Sequence, residues 1–165
     1  MIIKPGDIIF TRSKSFFSNL TRYWTKGEYS HVLMVIYTIR EHAFITEALP
    51  NGVDVNDFIW HVKAKDDYVV YRNMNATTDI IDRLIESAVA YHGCPYDTSV
   101  ILNFIIGKTW FGTDKAVICS ELLYRILKEI NQITPGLNPE KMSPADLRRL
   151  LICDSRYEKI YRKTY

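Results

Sequence analysis

Cysteine is scarce in this chain. Only three occur in 165 residues, Cys94, Cys119 and Cys153, and no two form a C-x-x-C pair. An odd, widely spaced set excludes a disulfide framework and gives neither zinc-knuckle nor thioredoxin-type spacing. It fits free thiols in a reducing compartment. Glycine (7) and proline (6) are also few, which removes collagen-like and low-complexity classes. No apolar run approaches the roughly 20 residues that span a bilayer. The longest, residues 32–39, has the length of a strand. The opening MIIKPGDIIF lacks a basic stretch followed by a long apolar one, so no signal peptide is visible. The net charge is only +2, and no basic stripe points to a nucleic acid. The expectation is a cytoplasmic protein without a nucleic-acid partner.

The remaining composition is that of a globular chain, 47% hydrophobic and 24% charged. Its length suits one domain over residues 1–165. Aromatics reach 13%, including 11 Tyr, as a packed α+β core with aromatic-lined clefts requires. Ile8–Phe10 reads as a short strand after Gly6-Asp7. His31–Tyr37 and Ala43–Ala48 are β-rich runs with Arg40, Glu41 and His42 between them. Asn51-Gly52 signals a two-residue turn, Val53–Ile59 extends or caps the sheet, and Tyr68–Tyr71 is a further strand. Helical spacing then takes over. Ile80, Ile81, Leu84, Ile85, Ala88 and Val89 form one stripe after a threonine or aspartate cap, with Gly93 and Pro95 beyond its end. Leu122, Leu123, Ile126, Leu127 and Ile130 form another. Ser143-Pro144-Ala145-Asp146 starts a short helix through Leu151, and Tyr157–Tyr161 reads as a last edge strand. Residues 97–106 are read as helix. Phe16, Phe17, Arg22, Tyr23, Trp24 and Lys26 are read as one amphipathic helix packed on the domain, with a basic rim over a cleft as the alternative. The fold class is α+β, an antiparallel sheet packed against helices.

Cys119 begins the second helical stripe, where unpaired N–H groups and the helix dipole favour a thiolate. A lone cysteine is nonetheless more often a buried apolar residue. Cys94 and Cys153 lack that setting and are read as structural. Among four histidines, His42 falls in a turn and His92 at a helix end. His61 has no evident partner. His31 opens the most apolar strand, where an imidazole needs a partner. A turn centred near Ile39 sets Leu33 opposite Ile45, Met34 opposite Phe44 and His31 opposite Glu47. Opposed residues share a face with Cβ atoms about 5 Å apart, and a carboxylate there would orient the imidazole. A surface ion pair is the competing reading of these two residues.

The ordered pieces Gly6-Asp7-Ile-Ile-Phe10, Tyr29-Ser30-His31-Val32, Thr46-Glu47-Ala48 with Gly52-Val53, Gly93-Cys-Pro-Tyr96-Asp97 and Cys119-Ser120-Glu121-Leu122 resemble the NlpC-type papain-like cysteine peptidase superfamily. They are most similar to its circularly permuted, YiiX-like branch. In unpermuted members the cysteine helix comes first; here the G-D and His strands do. The likeness runs from about Pro5 to Leu147. It implies a permuted papain-like fold, with Cys119 as nucleophile, His31 as base, Glu47 as the residue that orients His31, and Tyr96 beside the cysteine as an oxyanion aid. It implies a cysteine hydrolase that cleaves an amide bond through an acyl-thioester, with no metal or organic cofactor. A small peptide or acyl compound would be the substrate. The alternatives are a lipid or ester acyl hydrolase or acyltransferase, for which a membrane surface is the less favoured partner, and a non-catalytic peptide-binding module. The chain lacks the D-C-S-G of the peptidoglycan-cutting members. It also lacks the N-C-E-H-F of lecithin:retinol acyltransferase-like enzymes, which share the permuted order.

Overall fold

The β-branched runs form strands and the periodic stripes form helices. The computed structural model describes residues 2–12, 23, 26–62, 67–98, 117–135, 138–139 and 142–164. In chain order these give β1 (Ile8–Arg12), β2 (His31–Ile39), β3 (His42–Leu49), β4 (Gly52–Asp57), a one-turn helix α1 (Phe58–His61), β5 (Asp67–Asn73), α2 (Thr78–Ala90), α3 (Cys119–Glu129), α4 (Pro144–Cys153) and β6 (Tyr157–Lys163). The strands make one six-stranded sheet in the order β4-β3-β2-β1-β5-β6, antiparallel throughout. The fold is α+β, with an antiparallel sheet against helices. Charged residues fill the edge strand β6, as edges that resist pairing with other chains require. The predicted helix over residues 16–26 lies almost wholly outside the described residues, and so does the predicted helix over 97–106 from residue 99 onward.

Alternation divides the apolar residues between two faces. Ile8, Phe10, Val32, Met34, Val69 and Tyr71 join Leu84 and Ala88 of α2, Leu122, Leu123, Ile126 and Leu127 of α3, and Leu147 and Leu151 of α4 in the main core. Residues of the opposite parity, Ile9, Leu33, Val35, Ala43, Ile45 and Val70, form a second cluster. Phe58 of α1 and Val62 pack against it. Thr77 caps α2. Ser143 and Asp146 cap α4 reciprocally, with Pro144 in the first turn, as the sequence pattern anticipated.

The β2–β3 register differs from the one expected. Ile39 pairs with His42 across a turn of Arg40 and Glu41, then Thr38 pairs with Ala43 and Tyr37 with Phe44. A bulge follows between Val35 and Tyr37, beyond which Val35 faces Ile45 and Met34 faces Thr46. His31 is therefore not directly opposite Glu47, and Met34 is not opposite Phe44. Arg40 takes the left-handed conformation (φ 54°) that turns here. That conformation is uncommon for a residue other than glycine, so no Asn-Gly signal marked the spot. His42 is the first residue of β3 rather than part of the turn. The next turn is also displaced by one residue: Leu49 pairs with Gly52, leaving Pro50 and Asn51 as the loop.

Gly52 has φ +116°, and a Cβ on it would lie 2.9 Å from the Cys94 carbonyl oxygen. That close approach lets the Val53 N–H donate to Cys94 O (2.8 Å) and the Gly93 N–H to Val53 O (2.9 Å). The start of β4 is thereby stitched to the segment that carries Tyr96.

Candidate active site

Helix α3 begins with Cys119 directly after Ile118, whose side chain provides no cap. Glu121, three residues on, reaches back to the Ile118 N–H, as an N3 acid does in half of a capping box. It also accepts from Arg125 at 2.7 Å. Ser120 donates its hydroxyl to Met142 O at 2.6 Å, tying this helix end to the approach of α4. The face of α3 that carries Leu122, Leu123, Ile126 and Leu127 is buried, which fixes the helix against the sheet and leaves its first residue beside the head of β2.

At that meeting point Cys119 Sγ accepts from the backbone N–H groups of Val32 and Ser120 and is hydrogen-bonded to the His31 ring. Burial alone would raise the thiol pKa. The His31 charge and hydrogen bond and the two backbone donors outweigh it, and the thiol is displaced downward. Burial likewise opposes the imidazolium of His31. The Cys119 charge and hydrogen bond, together with Glu47, overcome that and push His31 up to about 10. Both displacements favour the ion-pair form, with the proton on nitrogen rather than sulfur.

His31 Nε2 lies 2.7 Å from Glu47 Oε2, which leaves Nδ1 to face the sulfur. Glu47 is fully buried, whereas the His31 side chain is one-quarter exposed (25%). Although the two residues are not opposed, they still meet. The true register moves the pairing by two residues near the strand end, and an even displacement keeps both side chains on one face. They touch as diagonal neighbours, within reach of long side chains.

Tyr96 lies in a bridge with Val117, two residues before Cys119. The Val117 N–H donates to Pro95 O (3.0 Å) and the Asp97 N–H to Val117 O (3.2 Å). Burial first, then the charges of Cys119 and Asp97, raise the Tyr96 pKa well above that of a free phenol. Its hydroxyl therefore keeps its proton and can donate beside the sulfur.

Behind this cluster, the Asp7 of the Gly-Asp pair is buried and accepts from Arg72 Nε (2.7 Å) and a terminal guanidinium nitrogen (2.8 Å). Its backbone carbonyl accepts from the Val35 N–H (2.9 Å). The pair tethers the start of β1 to both β2 and β5.

Two contacts to Glu47 escaped sequence reasoning. His61 Nε2 lies 2.9 Å from Glu47 Oε1, and Asn56 Nδ2 donates to the same oxygen at 3.3 Å. The local signal was Asp57, which caps α1 by accepting from the Ile59 N–H (2.8 Å) and so starts the turn that ends in His61. The other expected bystanders lie apart from the cluster. His42 pairs with Asp57, and exposed His92 is 3.9 Å from Asp54. Cys94 is half-buried and Cys153 exposed. Among the described residues no group of three or more His, Cys, Asp or Glu side chains could hold a metal ion, and no helix is long and apolar enough to cross a membrane.

Comparison with known proteins bears on the fold and the family. No curated protein matches the chain. A solved structure described as "metalloprotein yiiX" from Escherichia coli O157:H7 is similar, with a TM-score of 0.70 and 21% sequence identity over 98% of both chains. At that identity the likeness establishes the fold. Residues 2–145 match the family model described as "Permuted papain-like amidase enzyme, YaeF/YiiX, C92 family". With most of its length covered by that match, the chain belongs to the permuted papain-like amidase enzymes of the YaeF/YiiX family.

Proposed function

We propose that this amidase hydrolyses the amide bond of a small peptide through a Cys119–His31–Glu47 triad. One observation carries the reading: a buried thiol hydrogen-bonded to an imidazole whose other nitrogen rests on a buried carboxylate. The Cys119 thiolate attacks the carbonyl carbon, forming the C–S bond and placing negative charge on oxygen. The Cys119 backbone N–H and the Tyr96 hydroxyl stabilise that oxyanion, and one such donor contributes about 3 kcal/mol. As the C–N bond breaks, the His31 imidazolium gives its proton to the leaving amine. The neutral imidazole then takes a proton from water, which attacks the thioester, releases the acid and restores the ion pair. Glu47 keeps one tautomer in place throughout.

The test compares wild type with Cys119→Ala and His31→Ala on a panel of small peptide amides and acyl esters. Mass spectrometry of the quenched reaction reports the acyl-enzyme. The reading requires wild-type turnover with a covalent adduct on Cys119 and background rates for both variants. Faster turnover of the esters would assign the site to acyl-ester hydrolysis. Equal background rates for all three proteins would make the cleft a binding site.

A further inference from the structure

Glu47 is held by two imidazoles. Its Oε2 meets His31 at 2.7 Å and its Oε1 meets His61 at 2.9 Å. The carboxylate is fully buried, while the His61 ring is about one-third exposed (34%). A buried carboxylate needs donors on both oxygens, because an unpaired one loses its hydration without recompense. Among the described residues, Asn56 offers Oε1 its hydrogen bond, a long and neutral one at 3.3 Å. His61 reaches the same oxygen from α1, whose Phe58 packs against the sheet's second apolar cluster. The strand residue and the helix residue thus grip the two ends of one carboxylate.

We propose that His61 is a positioning residue of this site: its Nε2, 2.9 Å from Glu47 Oε1, pairs with that oxygen and so keeps Oε2 on His31. The inference rests on the triad reading above. Without His61, Oε1 keeps only Asn56 among the described residues. The carboxylate then either turns Oε1 toward His31 or takes up a proton, and in both cases it balances the imidazolium less well. The share of Cys119 held as thiolate falls in consequence. The other titratable groups that bear on the cluster are Tyr96 beside Cys119, Asp97 beside Tyr96, and Asp54, the residue opposite Glu47 across β3 and β4. None makes the side-chain contact with Glu47 that His61 makes.

The experiment follows iodoacetamide alkylation of Cys119 across pH by peptide mapping in wild type, His61→Leu, His61→Gln and His31→Ala. His61→Leu should move the half-maximal pH up by about one unit and slow alkylation about tenfold at pH values below the wild-type half-maximum. Glutamine keeps an N–H donor, so His61→Gln should restore most of the wild-type profile. Nitrogen-resolved NMR of the wild type should show His61 as the Nε2–H tautomer with that proton shielded from exchange. This reading remains decisive should His61→Leu not fold. A wild-type profile for His61→Leu, no rescue by glutamine, or an Nδ1–H tautomer would each overturn the proposal. Should His31→Ala also leave the profile unchanged, the Cys–His reading fails. A silent His61→Leu beside a perturbed His31→Ala removes only the second imidazole's role.

Discussion

Because Cys119 and His31 hold one proton between them, pH should act on stability in a shape that no isolated group produces. The folded thiol is displaced downward from its ordinary 9.0, and the folded imidazole upward from 6.5 to about 10. The raised His31 stabilises the fold fully below pH 6.5 and loses that effect toward about 10. The depressed Cys119 stabilises fully above 9.0 and loses that effect as pH falls toward its lowered value. Proton counting gives the sum. Below 6.5 the unfolded pair binds two protons and the folded pair one, so stability rises with pH by about 1.4 kcal/mol per unit. Between 6.5 and 9.0, over the range where the folded thiol is ionised, both states bind one proton, and the contribution is level. From 9.0 to about 10 only the folded pair keeps a proton, and stability falls at about the same slope, roughly 1.4 kcal/mol per unit. The acid limb ends where the thiolate takes up its proton. Cys119→Ala abolishes that limb, because the imidazole, still paired with Glu47, then binds one proton in both states. Urea unfolding of both proteins at pH 6.5 and at about 5.5 isolates the effect, since the remaining titrations are common to the two. Wild type should lose up to about 1.4 kcal/mol more than the variant, equivalent to about 3–5 °C in Tm for a chain of this size. Identical pH dependence in the two proteins would show that the folded imidazole is neutral once the thiolate is gone, and would refute the charge balance drawn here.

Three further outcomes follow from the geometry. Tyr96→Phe should lower kcat about 100-fold while leaving the melting temperature nearly unchanged; wild-type turnover would remove the hydroxyl from the oxyanion site. Arg72→Met strands the buried Asp7 carboxylate and should cost about 3–5 kcal/mol, or about 10 °C by calorimetry. Adding Asp7→Asn should return most of that loss, and a double variant as unstable as the single would contradict the pairing argument. Ser143→Ala removes the capping box of α4 and should cost about 1 kcal/mol in denaturant unfolding; an unchanged midpoint would mean the cap does not hold the helix.

The residues that bear chemistry were legible in the chain wherever a local rule applied. Helical spacing after Cys119 placed it at a helix start, and the apolar run after His31 placed it at the head of a strand. Alternation put His31 and Glu47 on one face under the true register as well as the expected one, since the two differ there by an even step. Glu47's second imidazole was not legible, because it depends on a one-turn helix too short to show a period. The Asp7–Arg72 pair was equally silent, as its members are 65 residues apart in sequence.

Sequence alone determined which residues have the right chemistry and which element each occupies, because periodicity and capping act over a few neighbours. Only tertiary structure decided which of them touch. The bulge between Val35 and Tyr37 and the Arg40–Glu41 turn made the His31–Glu47 contact diagonal. The Tyr96–Val117 bridge set Tyr96 beside the segment that leads into Cys119, and the packing of α1 carried His61 to Glu47. Each of these contacts joins separate elements, and its geometry is set by packing that no short stretch of chain specifies.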